Sequence, residues 1–141
     1  MIRPMEKADM EQILKLWISC AKQAHPFLAP DWWDQYVEPI RENYTPAMDT
    51  AVFEKDGRVA GFIGVAEKRL LGALCVEPAL QGQGIGTALL QHMTERFPGL
   101  WLWVYEQNEN AVRFYTKRGF SLFGRAVNPA TGKAELVLKA K

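Results

Sequence analysis

Between Met10 and Ala21 the apolar residues keep helical spacing, with Met10, Ile13, Leu14, Trp17, Ile18 and Ala21 on one face of a 3.6-residue repeat. Asp9, followed by Gln12, resembles a capping box at the start of this helix. Pro26 limits its end, because the residue before a proline resists the α conformation. A second helical segment is predicted over about 31–44, opening at Asp31 after Pro30 and interrupted by Pro39. The period then shortens to two. TAVFEKDGRVAGFIGVAE reads as two strands joined at Asp56-Gly57, a dipeptide suited to a tight hairpin because glycine takes positive φ at little cost. LLGALCVEP, closed by Pro78, is a third strand, and LWLWVYE is another. Between them lie a glycine-rich turn and a helix that sets Ile85, Leu89 and Met93 on one face, with Leu90 and Phe97 beside it, and stops at Pro98-Gly99. A helix over about 108–118 follows, with Gly119 at the position after its end. Two strands, 120–127 and 134–139, flank the turn NPATGK, and a short strand at 1–4 opens the chain.

The order is β-α-α-β-β-β-α-β-α-β-β. The unit 71–106 runs strand, turn, helix, strand, so its two strands need a crossover and lie parallel, whereas the other neighbours are joined by hairpins. The expected architecture is α/β in the α+β sense: a mixed, mostly antiparallel sheet of six to seven strands with about four helices.

Composition narrows the function classes. At 141 residues the chain has the length of one domain, 1–141, with 48% hydrophobic and 23% charged residues, which argues against disorder. A net charge of +1 supplies no field for nucleic acid or an anionic membrane, so neither is an expected partner. Cys20 and Cys75 lack metal-ligand spacing and read as buried free thiols, and no metal is expected. The opening MIRPMEKADM has no apolar leader core and VAGFIGVA is too short to span a bilayer, which points to the cytoplasm.

The chemistry-bearing segment is VEPALQGQGIGTALL, residues 76–90, with glycines at 82, 84 and 86 running into a helix. Such a turn leaves backbone N–H groups unpaired and aims them, with the positive end of the helix dipole, at an anion. Two phosphate fingerprints fail here. In the dinucleotide pattern the third glycine falls on Thr87, and no Gly-Lys pair stands in P-loop register.

Read together with NENAVRFYTKRGF, this segment resembles the GCN5-related N-acetyltransferases, in particular their small single-domain bacterial members. The acyl-CoA signature Q/R-x-x-G-x-G/A stands here as Gln81-Gly82-Gln83-Gly84-Ile85-Gly86 after Val76-Glu77-Pro78. The second motif stands as Asn108, Ala111, Phe114, Tyr115, Gly119 and Phe120. The element order matches over essentially the whole chain. The resemblance implies a fold whose parallel strands splay apart, and an enzyme that moves an acetyl group from acetyl-CoA to a primary amine, either a protein lysine or N-terminus or a small-molecule amine, by direct attack in a ternary complex. It also implies that N–H groups of Gly82, Gln83, Gly84, Gly86 and Thr87 grip the pyrophosphate, with Gln81 in the signature. Leu74, Cys75 and Val76 would pair with the pantetheine arm, the Val76 N–H would polarise the thioester carbonyl, and Asn108 would contact the cofactor arm or cap its helix. Arg113, Lys117 and Arg118 are candidates for the 3′-phosphate. The alternative is a catalytically silent acyl-CoA-binding regulatory module, and the assembly is expected to be a monomer or a homodimer.

The catalytic assignments carry competing readings. Tyr115 corresponds to the family's acid for the leaving thiolate; on spacing alone it is also one residue of a packed helical stripe with Ala111, Phe114 and Arg118. An amine acceptor needs a base, yet the strand RLLGALCV has no acid, and the position five before the motif asparagine is Trp103. Glu106, Glu67, His25 and a bound water are the candidates. In AHPFLAPDWW, His25 and Phe27 either face the acceptor or anchor the interhelical turn. Strand alternation puts Trp101, Trp103 and Tyr105 on one face and Leu102, Val104 and Glu106 on the other. The aromatic face is either acceptor site, binding an apolar or cationic amine, or core.

Overall fold

The computed structural model describes residues 1–44 and 47–141. Its seven strands are β1 (Ile2–Pro4), β2 (Met48–Lys55), β3 (Arg58–Ala66), β4 (Leu70–Val76), β5 (Trp101–Tyr105), β6 (Phe120–Val127) and β7 (Ala134–Ala140). They form one sheet in the order β1-β2-β3-β4-β5-β7-β6. Every pairing is antiparallel except β4 with β5, so the expected mixed sheet is present.

Helix α1 (Met10–Ala24) ends at His25, one residue before Pro26, as the proline requires. Its start differs from the expected Asp9–Gln12 capping box. The Asp9 carboxylate turns back instead, accepting from the Glu6 N–H at 2.7 Å and from the Arg3 guanidinium at 2.8 and 3.0 Å. Gln12 is engaged elsewhere, its Oε1 accepting from the Val59 N–H at 3.0 Å and tying α1 to β3. The second helical segment, α2, is broken into a 3₁₀ stretch Trp32–Tyr36, one α turn Val37–Pro39 and a π turn Ile40–Tyr44. Pro39, with no N–H to donate, sits where the winding changes. Helices α3 (Ile85–Arg96) and α4 (Glu109–Lys117) follow the expected bounds closely.

The helices cover both faces of the sheet. Ile63, Val65, Leu102, Val104 and Leu138 pack with Leu89, Leu90 and Met93 of α3 and with Tyr115 of α4. The alternate residues Val52, Phe62 and Cys75 pack under Ile13 of α1. The feature that creates a site is the parallel pair. Strands β4 and β5 meet at Leu70 and Trp101, where the Trp101 N–H donates to the Arg69 carbonyl at 2.9 Å, and they pair no further among the described residues. β4 stays bonded to β3 as far as Val76, and β5 to β7 as far as Tyr105, so the two strands diverge and leave one edge of each free. Among the described residues no helix is long and apolar enough to cross a membrane.

Candidate active site

The gap between the diverging strands opens into a cleft of about 980 Å³. Its β4 wall can be worked out from one hydrogen bond. The Glu77 N–H donates to the Ala60 carbonyl at 2.8 Å, so Glu77 points toward β3. Backbone groups alternate sides along a strand, which turns those of Cys75 toward β3 as well and those of Val76 and Leu74 toward the gap. A Cβ built on Gly61 of β3 would lie 2.9 Å from the Cys75 carbonyl, consistent with that carbonyl facing β3. Cys75 therefore differs from the expectation for the cofactor arm: it lines the cleft, but its backbone belongs to the ladder. The Val76 carbonyl, on the open side, accepts from Gln81 Nε2 at 3.0 Å and from the Cys20 thiol at 3.4 Å. Its N–H faces the same gap. Gln81 thus staples the turn to the end of β4 with its side chain.

The glycine turn takes the shape its sequence suggests. Gly82 and Gly84 have φ of 81° and 86°, the left-handed region that favours glycine, and nothing lies within 4 Å of a Cβ built on either. Gly84 precedes α3, whose first internal bond runs from the Ala88 N–H to the Gly84 carbonyl. The N–H groups of Gly82, Gln83, Gly84, Ile85, Gly86 and Thr87 find no acceptor among the described residues, leaving an array of donors at a helix N-terminus. Arg118 brings a positive charge to it. Its Nε donates to Thr87 Oγ1 at 2.9 Å, another nitrogen donates to the Phe114 carbonyl at 2.8 Å, and its guanidinium lies 3.8 Å from the centre of the Phe114 ring. Arg113 and Lys117 do not line the cleft, whereas Arg118 does. These groups fit a pyrophosphate: donors without acceptors, room above them and a fixed cation. Asn108 caps α4 by accepting from the Ala111 N–H at 3.3 Å, and its free amide end remains in the cleft wall.

Tyr115 lies on α4. Its ring is buried against Phe114 and Phe120, at 5.2 and 5.4 Å between centres, so the packed-stripe reading holds for the ring. The residue also lines the cleft, and burial, with a smaller contribution from nearby Cys75, holds its phenol well above the usual range. It is a neutral hydrogen-bond donor.

The candidate bases separate cleanly. Glu106 is exposed, ion-paired to Arg125 at 2.8 Å and held below the usual carboxylate range by that partner, and it does not line the cleft. Glu67 sits in the β3–β4 turn with φ of 52°, at the end of β4 remote from Val76. Neither lines the cleft. His25 does line the cleft. Its Nδ1 lies 2.6 Å from the Ala21 carbonyl, and since a carbonyl only accepts, Nδ1 carries the hydrogen and Nε2 keeps its lone pair. Burial pushes its imidazole below the ordinary histidine value. The ring is held by Trp33, Phe27 and Tyr105 at 4.7, 5.6 and 5.4 Å between centres. Phe27 does not line the cleft and acts as a buttress to His25 and Tyr105. The aromatic face of β5 opens to the cleft: Trp103 is 46% exposed and lines it together with Tyr105.

Sequence reasoning missed several wall residues. Trp33 and Tyr36 join the cleft wall from α2; the aromatic density of PDWWDQY was the available signal. Glu135 enters from β7 opposite Tyr105. Nothing local marks it, because only the β5–β7 register brings it there.

Comparison with known proteins agrees with this geometry. The family model described as "Acetyltransferase (GNAT) family" matches residues 10–120. The chain is 35% identical over 122 residues to peptidyl-lysine N-acetyltransferase YiaC of Escherichia coli, covering 86% of this chain and 84% of that one. It is 32% identical over 133 residues to peptidyl-lysine N-acetyltransferase YjaB of the same organism, covering 94% and 89%. The solution structure of apo YjaB superposes with a TM-score of 0.83 at 27% identity, over 99% of this chain and 95% of that one. The PaiA N-acetyltransferase of Thermoplasma acidophilum, solved in complex with coenzyme A, shares the fold with a TM-score of 0.80 at 17% identity, over 100% and 98%. With the splayed parallel strands, the glycine turn and the matching relatives all in place, the chain belongs to the GNAT family and is an N-acetyltransferase.

Proposed function

We propose that residues 1–141 act as one catalytic domain in the cytoplasm, transferring an acetyl group from acetyl-CoA to the side-chain amine of a protein lysine. The observation that carries this reading is the divergence of β4 and β5, which leaves the Val76 N–H and Tyr115 facing one cleft between a donor-rich turn and an aromatic end holding His25. The lysine acceptor is supported by the activities for which YiaC and YjaB are named.

In this mechanism the residues divide the work. The glycine turn and Arg118 hold the pyrophosphate, and the free backbone edge of Leu74 and Val76 lines up the pantetheine arm. His25 Nε2 takes the proton from the attacking nitrogen. The Val76 N–H donates to the carbonyl oxygen as the new C–N bond places negative charge there. When the C–S bond breaks, the Tyr115 hydroxyl donates a hydrogen bond to the departing sulfur. A free thiol has a pKa of about 8.5, below that of this phenol, so Tyr115 stabilises a thiolate without surrendering its own proton.

The test is incubation with acetyl-CoA and a lysine-containing peptide, following thiol release and the peptide's mass. Thiol release that requires the lysine and ends with an acetylated peptide is the expected result. Saturable coenzyme A binding with no release for any amine would refute the enzymatic reading and favour the acyl-CoA-binding module. Stabilisation by NAD or ATP, but not by coenzyme A, would refute the donor assignment as well.

A further inference from the structure

Charge along the cleft is unevenly placed. Its one cationic side chain among the described residues is Arg118, fixed at the glycine turn. Two carboxylates line it, Glu109 at the exposed start of α4 and the half-buried Glu135 on β7. Glu135 lies directly across from Tyr105 in the β5–β7 register, so both side chains stand on the same sheet face, the one that α1 and α2 cover. Tyr105 in turn packs on His25. Glu135, Tyr105 and His25 are therefore successive neighbours along the acceptor wall. The Tyr105 phenol is raised mainly by burial, and the Glu135 charge adds to this, which is a second sign that the two are close.

The Glu135 carboxylate forms no hydrogen bond or ion pair with any described residue. Acidic groups elsewhere on the sheet or at its strand ends contrast with it: Asp49 is paired with Arg96, Glu54 with Arg3, Glu77 with Arg58 and Glu106 with Arg125. A cleft-lining carboxylate that has no cationic partner of its own is available to pair with a charge that a ligand brings. A primary alkylamine arrives as its ammonium, since an unperturbed lysine has a pKa of about 10.4. Trp33, Tyr36 and Trp103 line the same cleft, and aromatic rings are favourable neighbours for a cation.

We infer that Glu135 is the docking carboxylate for the acceptor's ammonium group and makes the enzyme prefer cationic primary amines. Glu135 holds the charged form in the cleft; one ammonium proton passes to His25 as the nitrogen moves on toward Val76, and the second, shed as the C–N bond forms, is taken up by the departing thiolate. It is a specificity-determining residue, separate from the base. The inference rests on the reading of this end of the cleft as the acceptor end.

Glu135→Gln keeps the shape and removes the charge. The binding experiment titrates a lysine peptide into the protein saturated with free coenzyme A, where no acetyl group is present and no turnover intervenes. The kinetic experiment compares the lysine peptide with an aromatic amine, which is neutral at the same pH. Loss of one charge-assisted hydrogen bond predicts an affinity for the lysine peptide, and a matching KM, weakened about 10- to 100-fold. The value of kcat, the coenzyme A affinity, the melting temperature and the KM for the aromatic amine should all stay close to wild type. Glu135→Lys should weaken lysine-peptide binding further. Equal losses for the two amines would overturn the inference and assign Glu135 a structural role. A fall in kcat with unchanged KM would also overturn it, by placing Glu135 in proton transfer. Wild-type protein that binds no lysine peptide overturns it outright, whereas peptide binding that depends on Glu135 without turnover would sustain it and refute only the proposed enzymatic function.

Discussion

Tyr115→Phe removes one oxygen atom and leaves the carbon skeleton in place. The ring makes its contacts with Phe114 and Phe120, and it is only 8% exposed, so the phenylalanine keeps the packing. The hydroxyl has no hydrogen-bond partner among the described residues, so folding loses little with it. For a domain of this size about 1 kcal/mol moves the melting temperature by roughly 2–4 °C, and the expected change is smaller than that. Catalysis should respond differently. A donor aimed at charge that develops only in the transition state is worth about 2.7–4 kcal/mol, which predicts a drop in kcat of about 10²- to 10³-fold. Coenzyme A affinity should be unchanged, because a neutral thiol sulfur, like that of a thioester, is a poor acceptor. Burial holds the phenol above its usual value, so Tyr115 remains protonated through neutral and mildly alkaline pH. The pH profile of the variant should therefore keep the wild-type shape at a lower height. The assays are initial rates of thiol release, calorimetric titration with coenzyme A and a thermal melt. A tenfold loss of affinity with kcat intact, or a melting temperature lowered by more than about 4 °C, would refute the assigned role.

The remaining expectations follow from single contacts. His25 is buried with its pKa lowered, so kcat in wild type should lose activity only as pH falls below about 6.5, and His25→Gln should abolish that acid limb along with most of the rate. The same shift makes the unfolded chain take up the proton first, so stability should decline as pH falls from the ordinary histidine value through the folded one; a His25→Gln protein whose melting temperature shows the same acid decline would contradict this. Gly84→Val places a branched side chain at φ of 86° and over the donor array, and should lose coenzyme A affinity and about 1–3 kcal/mol of stability; unchanged affinity in the titration would remove the pyrophosphate assignment. Arg118→Gln should raise the KM for acetyl-CoA while leaving kcat near wild type, and a selective effect on the amine would contradict its placement at the turn. Gly61→Val puts a Cβ 2.9 Å from the Cys75 carbonyl and 3.3 Å from Leu89, and should destabilise by about 1–3 kcal/mol in urea titrations; an unshifted midpoint would mean that β3 and β4 separate there more easily than the packing implies.

The sequence by itself determined the elements, the crossover that forces β4 and β5 to run parallel, and the donor turn, because each is a local matter of periodicity, turn chemistry or fixed spacing. Gly82 and Gly84 could be recognised since the turn needs their backbone freedom, and Asn108 since it begins a helix. The Asp9–Gln12 pair shows the limit of local reading: the spacing suits a capping box, but Arg3 and Val59, distant in sequence or on other strands, bind those side chains instead. The base shows it more sharply. Glu106, Glu67 and His25 were equivalent as letters; the ion pair to Arg125, the position at the far end of β4 and the 2.6 Å contact with the Ala21 carbonyl distinguish them. Tertiary structure alone decided which strand backbone is free. Cys75 and Val76 are neighbours in the chain, yet β3 consumes the groups of one and leaves those of the other facing the gap. It also decided that Glu135 meets Tyr105, because alternation assigns a side chain to a face, while only the register between strands some thirty residues apart assigns it a neighbour.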